Sequence, residues 1–429
     1  MKPTRTRYGV VVLAIGLAVL SYVQRVAIAG AALPIAHDLH LSKEQMGLVF
    51  GAFGIGYALF ELPMGLAGDR LGVRRALARI VLAWSAFTAL TGAAWNCASL
   101  IAIRFLFGAG EAGCFPNLTR MLSAWLPPRE RVTAQALMWA CTRWGGAITP
   151  PLTLLCITWF GWRLAFVCFA GLGVLWCAVF LVWFKDDPAK HPGVNAGERE
   201  LLVASSILTT RGSEQNWVKL LLTRQVAALV LQYFCFSYVW YFYITWLPTY
   251  LREGRGQSAE HAAFFAVLPL LFGGFGSLVS GIIARAIPRR MIAFGGFLAT
   301  AILLFAFTHI HWVMAAMLAM SLASFASDLT MPISWDMCVE IGGAYTATVA
   351  ATMNMLGNLA GFVAPVVGGL ILQRFGSGPD GWNLLIETMV GAAGVSAACW
   401  LYLDPDAARR ERERRLNADP AIGANPVSL

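Results

Sequence analysis

Charge is scarce in this chain. Asp, Glu, Lys and Arg together make up 13% of its 429 residues, about half the share of an ordinary soluble domain. The catalytic signatures that would mark an enzyme are also missing. There is no H-E-x-x-H and no G-x-S-x-G, so an intramembrane hydrolase has no residues to work with. There is no G-x-x-x-x-G-K-[ST], which removes ATP as an energy source. The nine cysteines include no C-x-x-C and are dispersed mostly through apolar runs, which argues for free thiols and against a disulfide framework. His309-x-His311 has no further ligand nearby and reads as a solvated turn. Gly108–Gly113 fits G-x-G-x-x-G but follows no strand, so close helix packing explains it better than a dinucleotide. Neither a metal nor a cofactor is called for.

What is abundant is apolar sequence. Hydrophobic residues make up 58% of the chain and the mean hydropathy is +0.65. Apolar runs long enough to cross a hydrocarbon core of about 30 Å recur along the whole length. The pattern predicts an all-α polytopic membrane protein with twelve spans. Six occupy residues 1–184, a charged linker fills 185–224, six more occupy 225–403, and an Arg/Glu-rich tail covers 404–429. Ser42 and Gln45 predict a capping box opening the second helix, and Gly47 and Gly51 a small-residue face on it. The linker is expected to hold one short amphipathic helix near Glu198–Leu208. The basic start followed by an apolar run resembles a leader, but the run is long and Arg25 precedes the only cleavage-like site, so an uncleaved first helix is expected.

The formal charge of +9 sits mainly in short loops and tails. It therefore speaks of topology and not of nucleic acid. One side holds Arg5, Arg7, Arg74, Arg75, Arg129, Arg131, Arg289 and Arg290, and the other is poorer, with Lys43, Arg163, Arg252, Arg255 and Arg374. The positive-inside rule puts both termini and the linker in the cytoplasm, which needs an even number of spans.

Charges inside the apolar runs mark the candidate site. Arg104 and Glu111 lie seven residues apart on one helical face, with no other charged residue between Ala98 and Thr119. A charge at membrane depth costs at least about 2.5–3.5 kcal/mol and points by default to function. Arg25 and Arg143 are two further membrane-depth cations, and Asp336 beside Trp335 is a further acid. Asn354 and Asn358 share a helix face, for ligand contact or helix–helix bonding. The aromatics from Tyr233 to Trp246 read as an interfacial belt or as cavity lining.

Gly65–Arg75 reads G-L-A-G-D-R-L-G-V-R-R, which resembles the loop signature between helices 2 and 3 of the major facilitator superfamily. The resemblance covers about Tyr8 to Leu403 and implies two six-helix halves that alternate access to a midplane site. It also implies a conformational latch made by Gly65, Asp69, Arg70, Gly72, Arg74 and Arg75. Finer features are similar to the anion:cation symporter family of sugar-acid carriers and sialin-like transporters: Y-V-Q-R at 22–25, R-F-L-F-G-A-G-E-A-G-C-F-P-N at 104–117, W-Y-F-Y-I-T-W-L-P-T-Y-L at 240–251, Ser334-Trp335, and N-M-L-G-N at 354–358.

That resemblance implies a bacterial inner-membrane carrier, monomeric, moving a small organic anion together with protons. Arg25 would bind the carboxylate. Glu111 would take the coupling proton, with Arg104 supporting it. Tyr57, Trp335 and Asn354 would line the cavity. Members of the family usually carry Asp before that arginine, and here Gln24 stands in its place. The substitution removes one titrating group and raises an uncoupled uniporter or exchanger as the alternative, with a transporter-like nutrient sensor behind it. Arg143 would be a second anion contact suiting a dicarboxylate, or a partner for Glu111. Asp336 would be a replacement acid.

Overall fold

The computed structural model describes residues 3–206, 221–284, 286–342 and 346–404, with the side chains of some helical residues outside that description. Those described are helical or in turns, and they form twelve apolar helices. In the first half, α1 is Thr6–Gly30, α2 Lys43–Leu71, α3 Val73–Thr91 and α4 Cys97–Trp125 in two pieces. A continuous run Pro128–Trp183 breaks at Gly161 (φ 74°, ψ 165°) into α5, 128–160, and α6, 162–183. In the second half, α7 is Arg224–Thr245, α8 Ala259–Ile283, α9 Arg289–His309, α10 Val313–Gly342 in two pieces, α11 Thr346–Phe375 and α12 Pro379–Tyr402. Among the described residues, nine stretches are long and apolar enough to span by composition alone; one of these, 51 residues long, holds both α5 and α6. Outward-facing Leu175, Val182, Phe264 and Ile302 give the bundle an apolar exterior suited to lipid.

Local chemistry sets several boundaries. Ser42 and Gln45 form the reciprocal capping box at the start of α2. At the other end of α2, Gly72 turns the chain at φ 79°, and the Asp186 carboxylate accepts from the Arg74 backbone N–H at 2.8 Å, capping α3. Gly65, Asp69 and Arg70 lie in the last turns of α2, but their side chains are outside the described residues. Of the remaining latch residues, Arg75 is exposed and Arg74 reaches the Leu181 carbonyl.

The linker helix, Ala196–Ser206, docks under α1. The buried Glu198 carboxylate accepts from the Thr4 hydroxyl at 2.6 Å, the Arg7 backbone N–H at 3.1 Å and the Arg7 guanidinium at 3.1 Å. Burial pushes the Glu198 carboxyl up, but these hydrogen bonds outweigh it and hold the group below the usual carboxylate range.

The two halves meet along α2–α11 and α5–α8. Gly47 and Gly51 do form a small-residue face. A Cβ on Gly47 would stand 2.6 Å from the Pro365 carbonyl oxygen, and one on Gly54 2.3 Å from the Gly361 carbonyl carbon, so these backbones touch. Lys43 pairs with Glu253 across the same end, the end away from the linker.

Two spans are interrupted well inside their length. In α4 the first piece stops at Glu111; Ala112 is extended (ψ 139°), Gly113 is left-handed (φ 83°), and the helix restarts at Cys114. In α10 the first piece stops at Asp328, and the helix restarts at Met331. An interrupted span with a charged group at membrane depth is a hallmark of transporter binding sites.

Candidate functional site

The interruption in α4 delivers Glu111 to the interior of the first half. Its Oε1 accepts from the Arg25 guanidinium at 3.1 Å and from the Ser21 hydroxyl, both on α1. Glu111 is fully buried, and Arg25 and Arg104 are 6% and 2% exposed. Arg25 lies over the rings of Tyr22 (4.9 Å), Phe53 (4.7 Å) and Tyr57 (5.0 Å). Arg104 covers Phe107 at 4.5 Å. Aromatic faces favour a cation that has lost its water, so α2 supplies a floor on which Arg25 keeps its charge. Among the described residues, the Nε atoms of both arginines and Glu111 Oε2 have no hydrogen-bond partner. Two fork-shaped donors beside a carboxylate, each with unused capacity, suit the capture of an anion.

Gln24 does not face this cluster. It accepts from the Thr88 hydroxyl at 2.9 Å and donates to the Phe169 carbonyl at 2.7 Å, tying α1 to α3 and α6. A neutral amide satisfies both partners, one an acceptor and one a donor, which a carboxylate could not do.

Asn354 and Asn358 are brought together on α11, and their partner is a residue absent from the sequence-based candidates. Both amides donate to the Glu61 carboxylate of α2, Asn358 at 3.5 Å, and the Tyr241 hydroxyl donates to Asn358 Oδ1 at 2.9 Å. Glu61 is 6% exposed.

Arg143 stands apart from Glu111. It pairs at 2.7 Å with Asp328, at the interruption in α10, and lies 4.6 Å over the Trp240 ring. Both members are buried, at 4% and 1% exposure, and the pair joins the two halves. Asp336 is not at this depth. It lies two turns further along α10, partly exposed, and pairs with Arg289 at the start of α9. The acid that meets a membrane-depth cation is therefore Asp328, a second residue that the sequence reading passed over. Trp335 is half-buried between Trp139 and Tyr233, each with its ring centre 6.3 Å away, on the line between the halves.

Similarity to known proteins points the same way as this geometry. Residues 13–365 match the Major Facilitator Superfamily. The chain is 32% identical over 395 residues to a probable sulfoacetate transporter, SauU, of Cupriavidus necator, covering 90% of this chain and 91% of the relative. It is 28% identical to the hexuronate transporter of Bacillus subtilis (84% and 86% covered) and 28% identical to a probable galactarate/D-glucarate transporter, GudP, of Escherichia coli (88% and 89%). Among solved structures, it superposes on a bacterial homologue of the human lysosomal transporter Spinster, inward-facing and unoccupied, with a TM-score of 0.74 at 18% identity, covering 96% and 98% of the two chains. For a D-xylose–proton symporter the TM-score is 0.71 at 14% identity, with 93% and 98% covered. The chain is a multi-pass membrane protein of the Major Facilitator Superfamily.

Proposed function

We propose that this protein is a proton-coupled symporter of a small organic anion of the sugar-acid class: a hexonate, hexuronate or aldarate. The observation that carries the reading is the buried Arg25–Glu111 pair at the break in α4, with Arg104 beside it. A substrate carboxylate needs a fixed cation, and Arg25 is one whose present partner can titrate. Protonating Glu111 would free Arg25 for the anion, so that proton and substrate travel together as a coupled set. Tyr57, Trp335, Asn354 and Asn358 would supply the neutral contacts that a polyhydroxylated substrate requires. The relatives are named as a hexuronate transporter and as probable galactarate/D-glucarate and sulfoacetate transporters, which supports an organic anion and leaves its identity to experiment.

Arg143 supports an extension of the same reading. A second buried arginine at the boundary between the halves suits a substrate bearing two acidic groups, its second group replacing Asp328. On this reading the two six-helix halves, 1–184 and 225–403, rock about the site. Both termini face the cytoplasm, and the residues from Gly65 to Arg75 form the latch.

The test is uptake of labelled hexonates, hexuronates and aldarates into proteoliposomes, with and without an inward proton gradient. Accumulation above equilibrium should require the gradient. Glu111→Gln should abolish it while substrate exchange persists. Gradient-independent equilibration by the native protein would instead mean a uniporter or exchanger. Binding without translocation would mean a sensor.

A further inference from the structure

Glu61 is a membrane-depth carboxylate that, among the described residues, has no cation of its own. Among the described residues none lies within ion-pair distance of it; its two oxygens accept only from the side-chain amides of Asn354 and Asn358. The titratable and charged groups around it are Tyr57 on α2, Arg25 on α1, Glu111 on α4 and Tyr241 on α7. Of these Arg25 is the one cation, and it is already paired with Glu111. Tyr241 spends its proton on Asn358. A carboxylate buried without a counter-charge either keeps strong donors or takes up a proton, because an unpaired ion in a low-dielectric interior costs several kcal/mol.

Here both donors come from the opposite half. Glu61 sits on α2 and the asparagines on α11, across the seam that any relative movement of the halves must open. Towards one end of that seam the contact is backbone on backbone, at Gly47, Gly54, Gly361 and Gly369. Towards the other end, the Glu61–asparagine contact is the polar join. When the halves part there, the carboxylate loses both amides together, while Tyr57 and the apolar flank of α2 move with it.

We infer that Glu61 is a second proton-binding site, ionised while α2 and α11 are joined through Asn354 and Asn358 and protonated, by a proton taken from water on the opposite side of the membrane, before they separate. The inference rests on the proton-coupled reading for its role in transport, but not for the existence of the site. It also answers the loss of an acid at position 24. The titrating group does not return on α1, where Gln24 is locked to α3 and α6; it stands on α2 instead.

Two measurements test it. In infrared difference spectra of the reconstituted protein against pH, a protonated carboxyl band should titrate, vanish in Glu61→Gln and persist in Glu111→Gln. Asn354→Leu, which removes one amide donor and leaves the carboxyl, should move that titration to higher pH, a shift no purely structural role would cause. Superimposable native and Glu61→Gln spectra would overturn the site, and an unmoved titration in Asn354→Leu would overturn its link to the seam. In proteoliposomes with one pH unit across the membrane, losing one coupled proton lowers the limiting accumulation about tenfold. Glu61→Gln should show that drop with exchange intact; accumulation at the native level would overturn the coupling role. If the native protein accumulates nothing yet the band titrates and disappears in Glu61→Gln, symport fails as the protein's function and the proton site stands.

Discussion

The Arg143–Asp328 pair makes the sharpest energetic prediction. Its atoms are 2.7 Å apart, its members are 4% and 1% exposed, and one comes from each half. Removing one partner of such a pair leaves a buried, uncompensated charge and costs about 3–5 kcal/mol, whereas replacing both with neutral groups of similar size is often close to neutral. Asp328 cannot easily rehydrate, because it packs against Gly273, where even a Cβ would come within 2.3 Å of its Oδ2. Arg143→Met and Asp328→Asn should therefore each lose roughly 3 kcal/mol or more, and the double variant should recover to within about 1 kcal/mol of the native protein. Unfolding in mixed micelles measures all four corners of this cycle. Additive losses, with coupling below about 0.5 kcal/mol, would refute the reasoning. Uptake then separates two roles. If the pair only joins the halves, the double variant recovers transport with stability. If Arg143 also holds a second acidic group of the substrate, stability returns while uptake of dianions stays lost and that of monoanions does not.

Two other perturbations test local claims. Gly113→Ala forces a side chain into the left-handed turn after Glu111 and sets its Cβ 2.6 Å from Met64 Cβ, so stability should fall by at least about 1–2 kcal/mol, whereas Gly171→Ala, with open space around it on α6, should be neutral or mildly stabilising; thermal denaturation compares them. Because folding lowers the Glu198 pKa, docking of the linker helix on residues 4–7 is fully favoured above the ordinary carboxylate range and weakens as pH falls through and below it; the protection of amides in α1's first turn, taken against their intrinsic exchange rate at each pH, should fall in acid, and Glu198→Gln should show that lowered protection already at neutral pH.

The twelve spans were legible because apolar runs and cationic loops follow directly from the cost of placing peptide and charge in hydrocarbon. The start of α2 was legible for a similar reason, since Ser42 and Gln45 complete their cap within one turn. The interruptions were not. Ala112–Gly113 and Leu329–Thr330 remain apolar or small, so hydropathy runs through them unchanged, and Gly113 reads as one more packing glycine until its φ of 83° is seen. The acids Glu61 and Asp328 are a different case. Each breaks an apolar run as plainly as Arg104 and Glu111 do, so the rule that singles out those two also reaches them. What the sequence could not supply was the choice of partner: Glu61 meets residues 293 and 297 positions away, and Arg143 meets one 185 away. Asp336 drew attention through its neighbour Trp335, yet two helical turns separate it from the depth at which Arg143 waits.

The joins between the halves differ in what it takes to undo them. Lys43–Glu253 is partly exposed, at 25% and 26%, and pairs of that kind are worth about 0–1 kcal/mol. The Gly47 and Gly54 contacts are matters of fit, and parting them exposes small apolar surface. Both can open cheaply. The other two joins cannot, because each would strand a buried charge. Glu61 would be left without donors and Arg143 without its acid. On the proposed reading this asymmetry is what couples movement to cargo. The Glu61 join opens at low cost only when a proton neutralises the carboxylate, and the Arg143 join only when another anion takes the place of Asp328. A transporter so built would be slow to change state empty and quick when carrying both. Leak of protons without substrate, measured on the native protein and on the Arg143→Met/Asp328→Asn variant, should accordingly rise in the variant, in which no charge remains at that join to hold the halves together.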